Sequence, residues 1–315
     1  MNSKSIAVIG QGFVGGSLTT VFSERGFDVY AYDKSGKYVK GASPWHGDAS
    51  EGYPGSVADL IGNNERGATP GFSGVYFVCV PTPMYEDGSA DLRIVESILA
   101  ELAEIPGNRI AVVKSTVPPG TTEMWNRKHE ATGLHVIFSP EFLTEANALD
   151  DMRNQSRIIL GGPRPWINTV KQVFQTAFPK VPIVKTSSTT AESIKYFTNI
   201  HLAVRVILSC EFKQVCDELD KNGLNVDYDK VAEYSKYDPR LGNTHMNVPG
   251  DDGIPGARGH CFPKDLNAFI SLAKSLSIEP TIMEAAWKKN LEVVPSEHRD
   301  WEMMIGRAVS VKQKI

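Results

Sequence analysis

The N-terminal stretch SIAVIGQGFVGGSLTTVFSERGFDVYAYD, residues 5–33, limits the possible folds more than any other part of the sequence. An apolar run suited to a buried strand leads into a glycine turn, then a helical pattern, then a second strand that ends at Asp33. This order is a βαβ unit, which pairs its two strands in parallel. We therefore expect an α/β domain at this end of the chain.

The glycine turn, Gly10-Gln-Gly-Phe-Val-Gly15, has the spacing G-x-G-x-x-G. Its glycines permit a tight turn, close approach of a pyrophosphate and close packing of the helix on the strand. Asp33 at the end of the second strand accepts the hydroxyl protons of a ribose and repels a 2′-phosphate. A glycine turn without a ligand is the alternative, but this context favours NAD, bound by Gly10, Gly12, Phe13, Val14, Gly15 and Asp33.

Five further β-rich runs follow, and helical patterns separate most of them. They are VYFVCV, RIAVVKS, LHVIFS, RIILGG and VPIVKT. This alternation predicts a Rossmann-type doubly wound parallel sheet, and we assign residues 1–186 to an NAD-binding domain. Two stretches rich in Gly, Ser, Asn and Pro, residues 34–55 and 63–74, are predicted loops.

From Thr189 the pattern changes to one long helix that ends near Gly223. Thr189 and Glu192 fit a capping box at its start. At 1.5 Å per residue the helix spans roughly 45 to 50 Å, so its apolar residues need more than one small domain to cover them. We expect it to link domains and to pack in a homodimer. Residues 187–315 are therefore predicted to form an all-helical dimerisation domain around one long central helix.

Composition excludes some functions and locations. The net charge of −4 gives no reason to expect nucleic acid or a membrane surface as partner. No apolar run reaches the length of a membrane span, and the N-terminal apolar part is too short for a signal peptide. The four cysteines form no C-x-x-C pair and the seven histidines no metal-binding pattern, so we predict neither disulfides nor a metal site. The predicted location is the cytoplasm.

Cys261 differs from the other three cysteines because it lies on a loop, in GARGHCFPKD. Pro263 suits the first turn of the helix that follows, so the thiol lies beside the positive end of that helix, with Lys264 and His260 nearby. This environment favours a thiolate, which attacks aldehyde carbons. A gap-filling apolar residue is the alternative for Cys261. For the other cysteines, which lie in a strand and a helix, we expect that gap-filling role.

Polar residues at strand ends and on the long helix are a second group of candidates. Lys195 and Asn199 are one turn apart and share a face, where a lysine near the nicotinamide stabilises an alkoxide or positions water. Glu141, Glu145 and Thr82 follow β-rich runs, and so face the crevice where ligands bind to such sheets. Solvated side chains and ordinary turns are the alternatives at these positions.

Seven segments, in this order, give the chain a resemblance to the UDP-glucose/GDP-mannose dehydrogenase family: GQGFVG, CVPTP, KSTVPPGTT, SPEFLTEA, ESIKYFTN, DPRLG and HCFPKD. The resemblance covers nearly the whole chain. It implies a four-electron oxidation of the primary alcohol of a nucleotide-linked sugar to a uronic acid, with two NAD and one water.

The resemblance also implies roles for individual residues. Cys261 becomes the nucleophile, which forms a thiohemiacetal and then a thioester. Lys195 and Asp265 serve the proton transfers and stabilise oxyanions, and Asn199 positions the substrate. The substrate-binding positions implied are Glu141, Phe142, Leu143, Lys195, Asn199, Arg240, Arg258 and Gly259.

Further positions match the family's water, cofactor and subunit contacts. Glu141 with Thr82 handles the water that releases the acid. Thr116 and Glu145, with Thr82, match positions close to the cofactor. Arg240 matches an arginine that reaches the substrate site of the neighbouring subunit.

The chain departs from the family pattern in two places. The family's glycine-aromatic-glycine-glycine before the cysteine is here Gly256-Ala257-Arg258-Gly259. Arg258 is predicted to bind a phosphate or carboxylate, or else to block the usual sugar pose. The sequence stops at Ile315, so we expect a short form without the family's third domain, which holds much of the nucleotide.

Two other functions stay open. A two-electron dehydrogenase resembling the hydroxyisobutyrate and phosphogluconate group shares the Rossmann unit and the helical lysine with asparagine, but has no use for a covalent intermediate on Cys261. A non-catalytic NAD-binding partner of a full-length enzyme needs none of the acids, bases and nucleophile together, so their joint presence argues against it.

Overall fold

A computed structural model describes residues 5–35 and 72–310 of the chain. They divide into two compact units, and the boundary lies within one helix, between Lys195 and Tyr196. Unit 1 contains the residues up to Thr82 and Leu92–Lys195, and unit 2 contains Pro83–Asp91 and the residues from Tyr196 onward. The sequence-based division at 186/187 falls at the start of that helix. The predicted loops lie almost wholly outside the described residues.

Unit 1 is an α/β unit, as predicted. Its strands alternate with helices because apolar runs of four to seven residues are separated by amphipathic segments. The strands are β1 (Ser5–Ile9), β2 (Asp28–Tyr32), β3 (Phe72–Val78), β4 (Arg109–Val113), β5 (Leu134–Phe138), β6 (Ile158–Gly161) and β7 (Ile183–Thr186). The helices are α1 (Phe13–Glu24), α2 (Arg93–Ala103), α3 (Thr121–Lys128), α4 (Ala148–Arg153) and α5 (Trp166–Ala177), followed by the start of α6 (Ser188–Lys221).

The described strands form one sheet in the order β2-β1-β3-β4-β5-β6-β7. Neighbours pair in parallel except β5 and β6, which are antiparallel. The prediction of a parallel sheet is therefore wrong at this one pair, because the apolar pattern that predicts a strand does not encode its direction. The parallel strands β1, β3, β4 and β5 bring their carboxyl ends to one edge of the sheet.

Both faces of the sheet are covered by apolar residues. One face carries an aromatic cluster in which the ring of Phe22 lies 5.6 Å from Phe77 and 5.8 Å from Phe174 and Phe178. The other face includes the fully buried Trp125. This core fixes the strand ends, and with them the residues that follow each strand.

The long helix α6 has 34 residues, about 51 Å at 1.5 Å per residue. Gly223 follows it with φ of +80°, as predicted for a helix stop. The predicted capping box is wrong. The hydroxyl of Ser187 accepts the Thr190 N–H at 3.2 Å, while the carboxylate of Glu192 accepts the N–H groups of Gly120 and Thr122 at the start of α3.

Unit 2 is helical within the described residues. Besides the rest of α6 it contains α7 (Tyr228–Ser235), α8 (Phe262–Ser275), α9 (Thr281–Val293) and the four-residue α10 (Asp300–Met303). The segment after α10 folds back on residues 83–91, since the Met84 N–H donates to the Ala308 carbonyl and the Ser310 N–H to the Met84 carbonyl, both at 2.8 Å. Within the two described ranges, no helix has the length and apolar character that crossing a membrane requires.

Candidate active site

The glycine turn between β1 and α1 has the shape that the sequence predicts. Gly10 has φ of +89°, and a Cβ there would lie 2.5 Å from the Cys79 carbonyl oxygen. A Cβ on Gly15 would lie 1.8 Å from the Gly10 carbonyl oxygen. A side chain at either position would clash with a backbone carbonyl, so both positions require glycine.

Gly12 is different, because a Cβ there would meet no atom within 4 Å. It is exposed at the N-cap of α1, whose first turn has no acidic residue and no side-chain cap. The N–H groups and positive dipole end of this 12-residue helix suit a pyrophosphate. Phe13 and Val14 form the first residues of the same turn and are partly buried.

Asp33 lies beside the glycine turn. Its Oδ2 accepts the Gln11 N–H at 2.7 Å, and its Oδ1 accepts the Ser35 N–H at 2.9 Å. These bonds hold the carboxylate at the end of β2, where a ribose bound to this turn would reach it. The residues present therefore fit a dinucleotide.

Lys195 and Glu141 form a buried ion pair in unit 1. The Lys195 Nζ lies 2.9 Å from Glu141 Oε1 and donates to the Glu141 carbonyl at 2.7 Å. The Leu143 N–H donates to Glu141 Oε2 at 2.7 Å. The ring of Phe142 lies 5.6 Å from the Lys195 ammonium. Phe142, Leu143 and Lys195, predicted as substrate-binding positions, thus surround one carboxylate at the end of β5.

A second buried lysine accompanies this pair. The Lys114 Nζ, one residue beyond β4, lies 3.1 Å from the Pro140 carbonyl and 3.4 Å from the Ser139 hydroxyl. Burial lowers the pKa of Lys114 to about 8, against the favourable charge of Glu141. Burial also raises the pKa of Cys79, which lies one residue beyond β3 and not within it, to about 12. The Cys79 thiol is thereby kept protonated at neutral pH.

Thr82 and Thr116 meet at the same edge of unit 1. The Thr82 hydroxyl donates to the Thr116 carbonyl at 2.8 Å, and both residues are buried. Glu145 is exposed and lies in the loop before α4.

In unit 2 the residues around Asp265 form a buried hydrogen-bonded set. The Asn199 Nδ2 donates to Asp265 Oδ2 at 2.6 Å, and the Lys264 Nζ lies 2.6 Å from Asp265 Oδ1. All three residues are less than 10% exposed. Asn199 stands one turn after Lys195 on α6, as the spacing predicts.

Cys261 is the N-cap residue of α8, and Pro263 lies in the first turn of that helix. This confirms the predicted place of the thiol at a helix N-terminus, while Cys210 and Cys216 are buried in α6. The Cys261 carbonyl accepts the Asp265 N–H at 2.8 Å. This backbone hydrogen bond links Cys261 to Asp265, whose carboxylate contacts Asn199 and Lys264.

The segment Gly256–Cys261, termed here the cysteine loop, is held by residues later in the chain. Asn290 Oδ1 accepts the Ala257 N–H at 2.8 Å and its Nδ2 donates to the Ala257 carbonyl at 2.9 Å. Asp300 Oδ1 accepts the Gly259 N–H at 3.1 Å. Gly256 has φ of +94°, and a Cβ there would meet Val294 at 2.3 Å.

Two arginines predicted to bind substrate have protein partners. Arg258 donates from Nε to the His298 carbonyl at 2.8 Å, and its Nη atoms lie 2.5 Å from Asp252 and 3.2 Å from Asp300. Arg240 pairs with Asp238 and keeps 87% of its side chain exposed. Binding of substrate by either arginine stays a prediction.

Comparison with known protein families identifies the enzymes to which this chain is related. Residues 4–178 match the NAD-binding domain of the UDP-glucose/GDP-mannose dehydrogenase family, and residues 189–292 match its central domain. The chain belongs to the UDP-glucose/GDP-mannose dehydrogenase family. The predicted resemblance is confirmed, and so is NAD as the cofactor of the N-terminal domain.

Three relatives illustrate the similarity. UDP-glucose 6-dehydrogenase AglM of Haloferax volcanii is 31% identical over 306 residues, covering 89% of this chain and 68% of that protein. UDP-N-acetyl-D-mannosamine dehydrogenase of Pyrococcus horikoshii is 29% identical, covering 85% of this chain and 64% of that protein. The solved UDP-glucose dehydrogenase of Pyrobaculum islandicum has a TM-score of 0.69 at 27% identity, covering 91% of this chain and 67% of that chain. This chain therefore spans about two thirds of their length.

Sequence reasoning missed four residues that this family member uses to hold its polar groups. They are Gln11, whose side chain donates to the Val8 carbonyl and accepts from the Thr19 hydroxyl, and Lys114, Asn290 and Asp300. For Lys114 the usable signal is a lysine directly after the apolar run RIAVV, at the start of KSTVPPGTT. Asn290 and Asp300 gave none, because their partners lie 33 and 41 residues earlier.

Proposed function

We propose that this chain catalyses the NAD-dependent, four-electron oxidation of the primary alcohol of a nucleotide sugar to the uronic acid. The observation that carries the proposal is the place of Cys261 at the N-cap of α8, whose first turn contains the buried Lys264 and Asp265. A two-electron dehydrogenase needs no thiol there. Family membership and the names of the relatives support the nucleotide-sugar substrate.

The reaction balances as one alcohol, two NAD and one water giving one carboxylic acid, two NADH and two protons. NAD, when bound, supplies the acceptor for both hydrides. The Cys261 thiolate adds to the aldehyde carbon, and the resulting thiohemiacetal is oxidised to a thioester. Water then cleaves the thioester, releasing the acid and restoring the thiol. Asp265 takes and returns protons, and Asn199 fixes the direction of its carboxylate.

Three further residues serve the alkoxide and the hydrolytic water in this proposal. Lys195 carries the positive charge that stabilises a developing oxyanion. Glu141 accepts a proton from the water that cleaves the thioester, and its contacts with the Lys195 ammonium and the Leu143 N–H hold the carboxylate in place. Thr82, whose own proton is donated to Thr116, offers its lone pairs to that water.

We further propose that the protein acts as a homodimer in the cytoplasm. Apolar side chains at spacings of four, three and four residues give α6 one exposed stripe in unit 2: Leu208, Phe212, Val215 and Leu219, each 39–57% exposed. A stripe of this kind on an isolated chain favours association. The exposed Arg240 is then available to a neighbouring subunit. Light scattering on the purified protein tests this, and a monomer at micromolar concentration would contradict it.

The function is tested by incubating the purified protein with NAD and, separately, UDP-glucose, UDP-N-acetylmannosamine, UDP-N-acetylglucosamine and GDP-mannose. NADH formed and sugar consumed are both measured. Two NADH per sugar with one of them is the expected result. One NADH per sugar would replace the proposal with a two-electron dehydrogenase. NAD binding without turnover of any of these sugars would favour a non-catalytic binding role.

A further inference from the structure

The cysteine loop is fastened to the C-terminal part of unit 2 through one carboxylate. Asp300 accepts the Gly259 N–H at 3.1 Å on Oδ1 and 3.3 Å on Oδ2. The same carboxylate lies 3.2 Å from the Arg258 Nη2. It therefore holds both a backbone group and a side chain within three residues of Cys261.

The anchor itself is fixed independently of the loop. The residue after Asp300, Trp301, is 1% exposed and packs in an apolar cluster with Val293 and Val294. Its ring lies 5.7 Å from that of Trp287 on α9. Because Trp301 is buried in this cluster, Asp300 is a rigid point to which the loop is attached.

The loop has a conformational need for such an attachment. Gly259 has φ of +75°, and the space that a Cβ would occupy is open. Glycine samples many backbone conformations, because it has no side chain to limit them. The bond from its N–H to Asp300 is what restricts it, two residues before the N-cap of α8.

Arg258 tightens the same attachment. Its guanidinium donates to the His298 carbonyl and pairs with Asp252 as well as with Asp300, and its side chain is only 13% exposed. The planar guanidinium presents its N–H groups in a fixed arrangement, so less entropy is lost for each hydrogen bond that it forms. Arg258 joins the loop both to the segment that contains α10 and to the turn at Asp252.

We propose that Asp300 is a positioning residue for Cys261, and that Arg258 assists it by tying the cysteine loop to the segment that contains α10. This rests on the proposed function for the role of Cys261 as nucleophile. Asp300 touches no reacting atom in this proposal. It sets the backbone conformation from which the thiolate reaches the aldehyde carbon, so it affects the second oxidation and not the first.

The test compares Asp300→Ala, Asp300→Asn and Asp252→Ala with the wild type in single-turnover NADH formation, which separates the first and second oxidations. In Asp300→Ala we expect the second phase to slow about tenfold or more, as for loss of a charge-assisted hydrogen bond. The first phase and KM stay within about twofold. Asp300→Asn keeps an oxygen acceptor for the Gly259 N–H, so we expect about threefold.

Asp252→Ala is the matched control, because it removes a carboxylate from the same guanidinium without touching the Gly259 N–H. We expect both phases to stay within about twofold in this variant. Equal slowing of both phases in Asp300→Ala and Asp300→Asn, or no slowing in either, would overturn the proposal.

Amide hydrogen exchange provides a readout that needs no turnover. Exchange at residues 257–261 should accelerate about tenfold or more in Asp300→Ala, less in Asp300→Asn, and remain unchanged in α6 and α9. If the wild type oxidises no sugar nucleotide, the proposed function fails, yet the attachment is still tested. Unchanged exchange at the Gly259 amide in Asp300→Ala would then overturn it.

Discussion

In unit 1 the Lys195 ammonium and the Glu141 carboxylate are 2.9 Å apart, and both side chains are less than 10% exposed. In unit 2 Cys261 lies at the end of a glycine-rich loop that Asn290 and Asp300 hold through its backbone. The first set is held by direct charge pairing between Lys195 on α6 and Glu141, which follows β5. The cysteine loop is held by hydrogen bonds from α9 and α10, whose residues lie 33 and 41 positions later in the chain. Substitutions should therefore affect stability most in unit 1 and thiol chemistry most in unit 2.

The largest effect is expected for Cys261→Ala. Acid formation should fall by roughly a thousandfold or more, as for loss of a covalent nucleophile, while NAD affinity measured by calorimetry stays unchanged. Cys216→Ala, which removes a buried thiol from α6, is the control and should keep most of its activity. Full activity in Cys261→Ala would instead favour a two-electron reaction.

Lys195→Met should give the largest loss of stability. It leaves the Glu141 carboxylate buried without its ammonium partner, which costs about 3 to 5 kcal/mol in the free energy of unfolding. Urea denaturation measures this. The double variant Lys195→Met with Glu141→Gln removes both charges and should regain part of the loss. A single variant as stable as the wild type would contradict a buried, charge-paired Glu141.

Lys114→Met should change how the free energy of unfolding depends on pH. The pKa of Lys114 in the folded protein, about 8, lies below its ordinary value of 10.5 because burial disfavours the charged form. The cost of folding with a charged Lys114 is present below pH 8 and is relieved as pH rises from 8 towards 10.5. The stability of the wild type relative to Lys114→Met should therefore rise by up to about 3 kcal/mol between pH 7 and 10.

The exposed Lys180 provides the matched control for this measurement. Lys180→Met should show no such trend in urea denaturation across the same pH range. A flat difference for Lys114→Met would mean that Lys114 keeps an ordinary pKa in the folded protein.

Asn290→Ala should have a smaller effect, located in the cysteine loop. Asn290 is fully buried, and its loss leaves the Ala257 N–H and carbonyl without their partners, which costs about 2 kcal/mol. Hydrogen exchange should accelerate at residues 256–261 and remain unchanged in unit 1. Equal acceleration of hydrogen exchange in β4 and β5 would contradict the claim that the Lys195–Glu141 pair and the cysteine loop are held independently.

The difference between local and distant contacts explains which features the sequence predicted. The glycine spacing, the place of Asp33 at the end of β2 and the N-cap position of Cys261 are each visible in a short stretch of sequence, so local patterns predicted them. The capping box failed because Glu192 binds the start of α3, about 70 residues earlier. The antiparallel pairing of β6 with β5 has no local signature, since periodicity does not encode strand direction. Asn290 and Asp300 were missed for the same reason as Glu192.

The most direct test of the central claim is peptide mass spectrometry of the Glu141→Gln variant, quenched in acid during turnover with the sugar nucleotide that the wild type oxidises. Loss of the carboxylate that activates water should slow thioester cleavage. The account predicts that the peptide containing Cys261 carries the mass of the oxidised sugar nucleotide as an acyl group. Two NADH formed per sugar with no adduct on Cys261, or with the adduct on another residue, would contradict it.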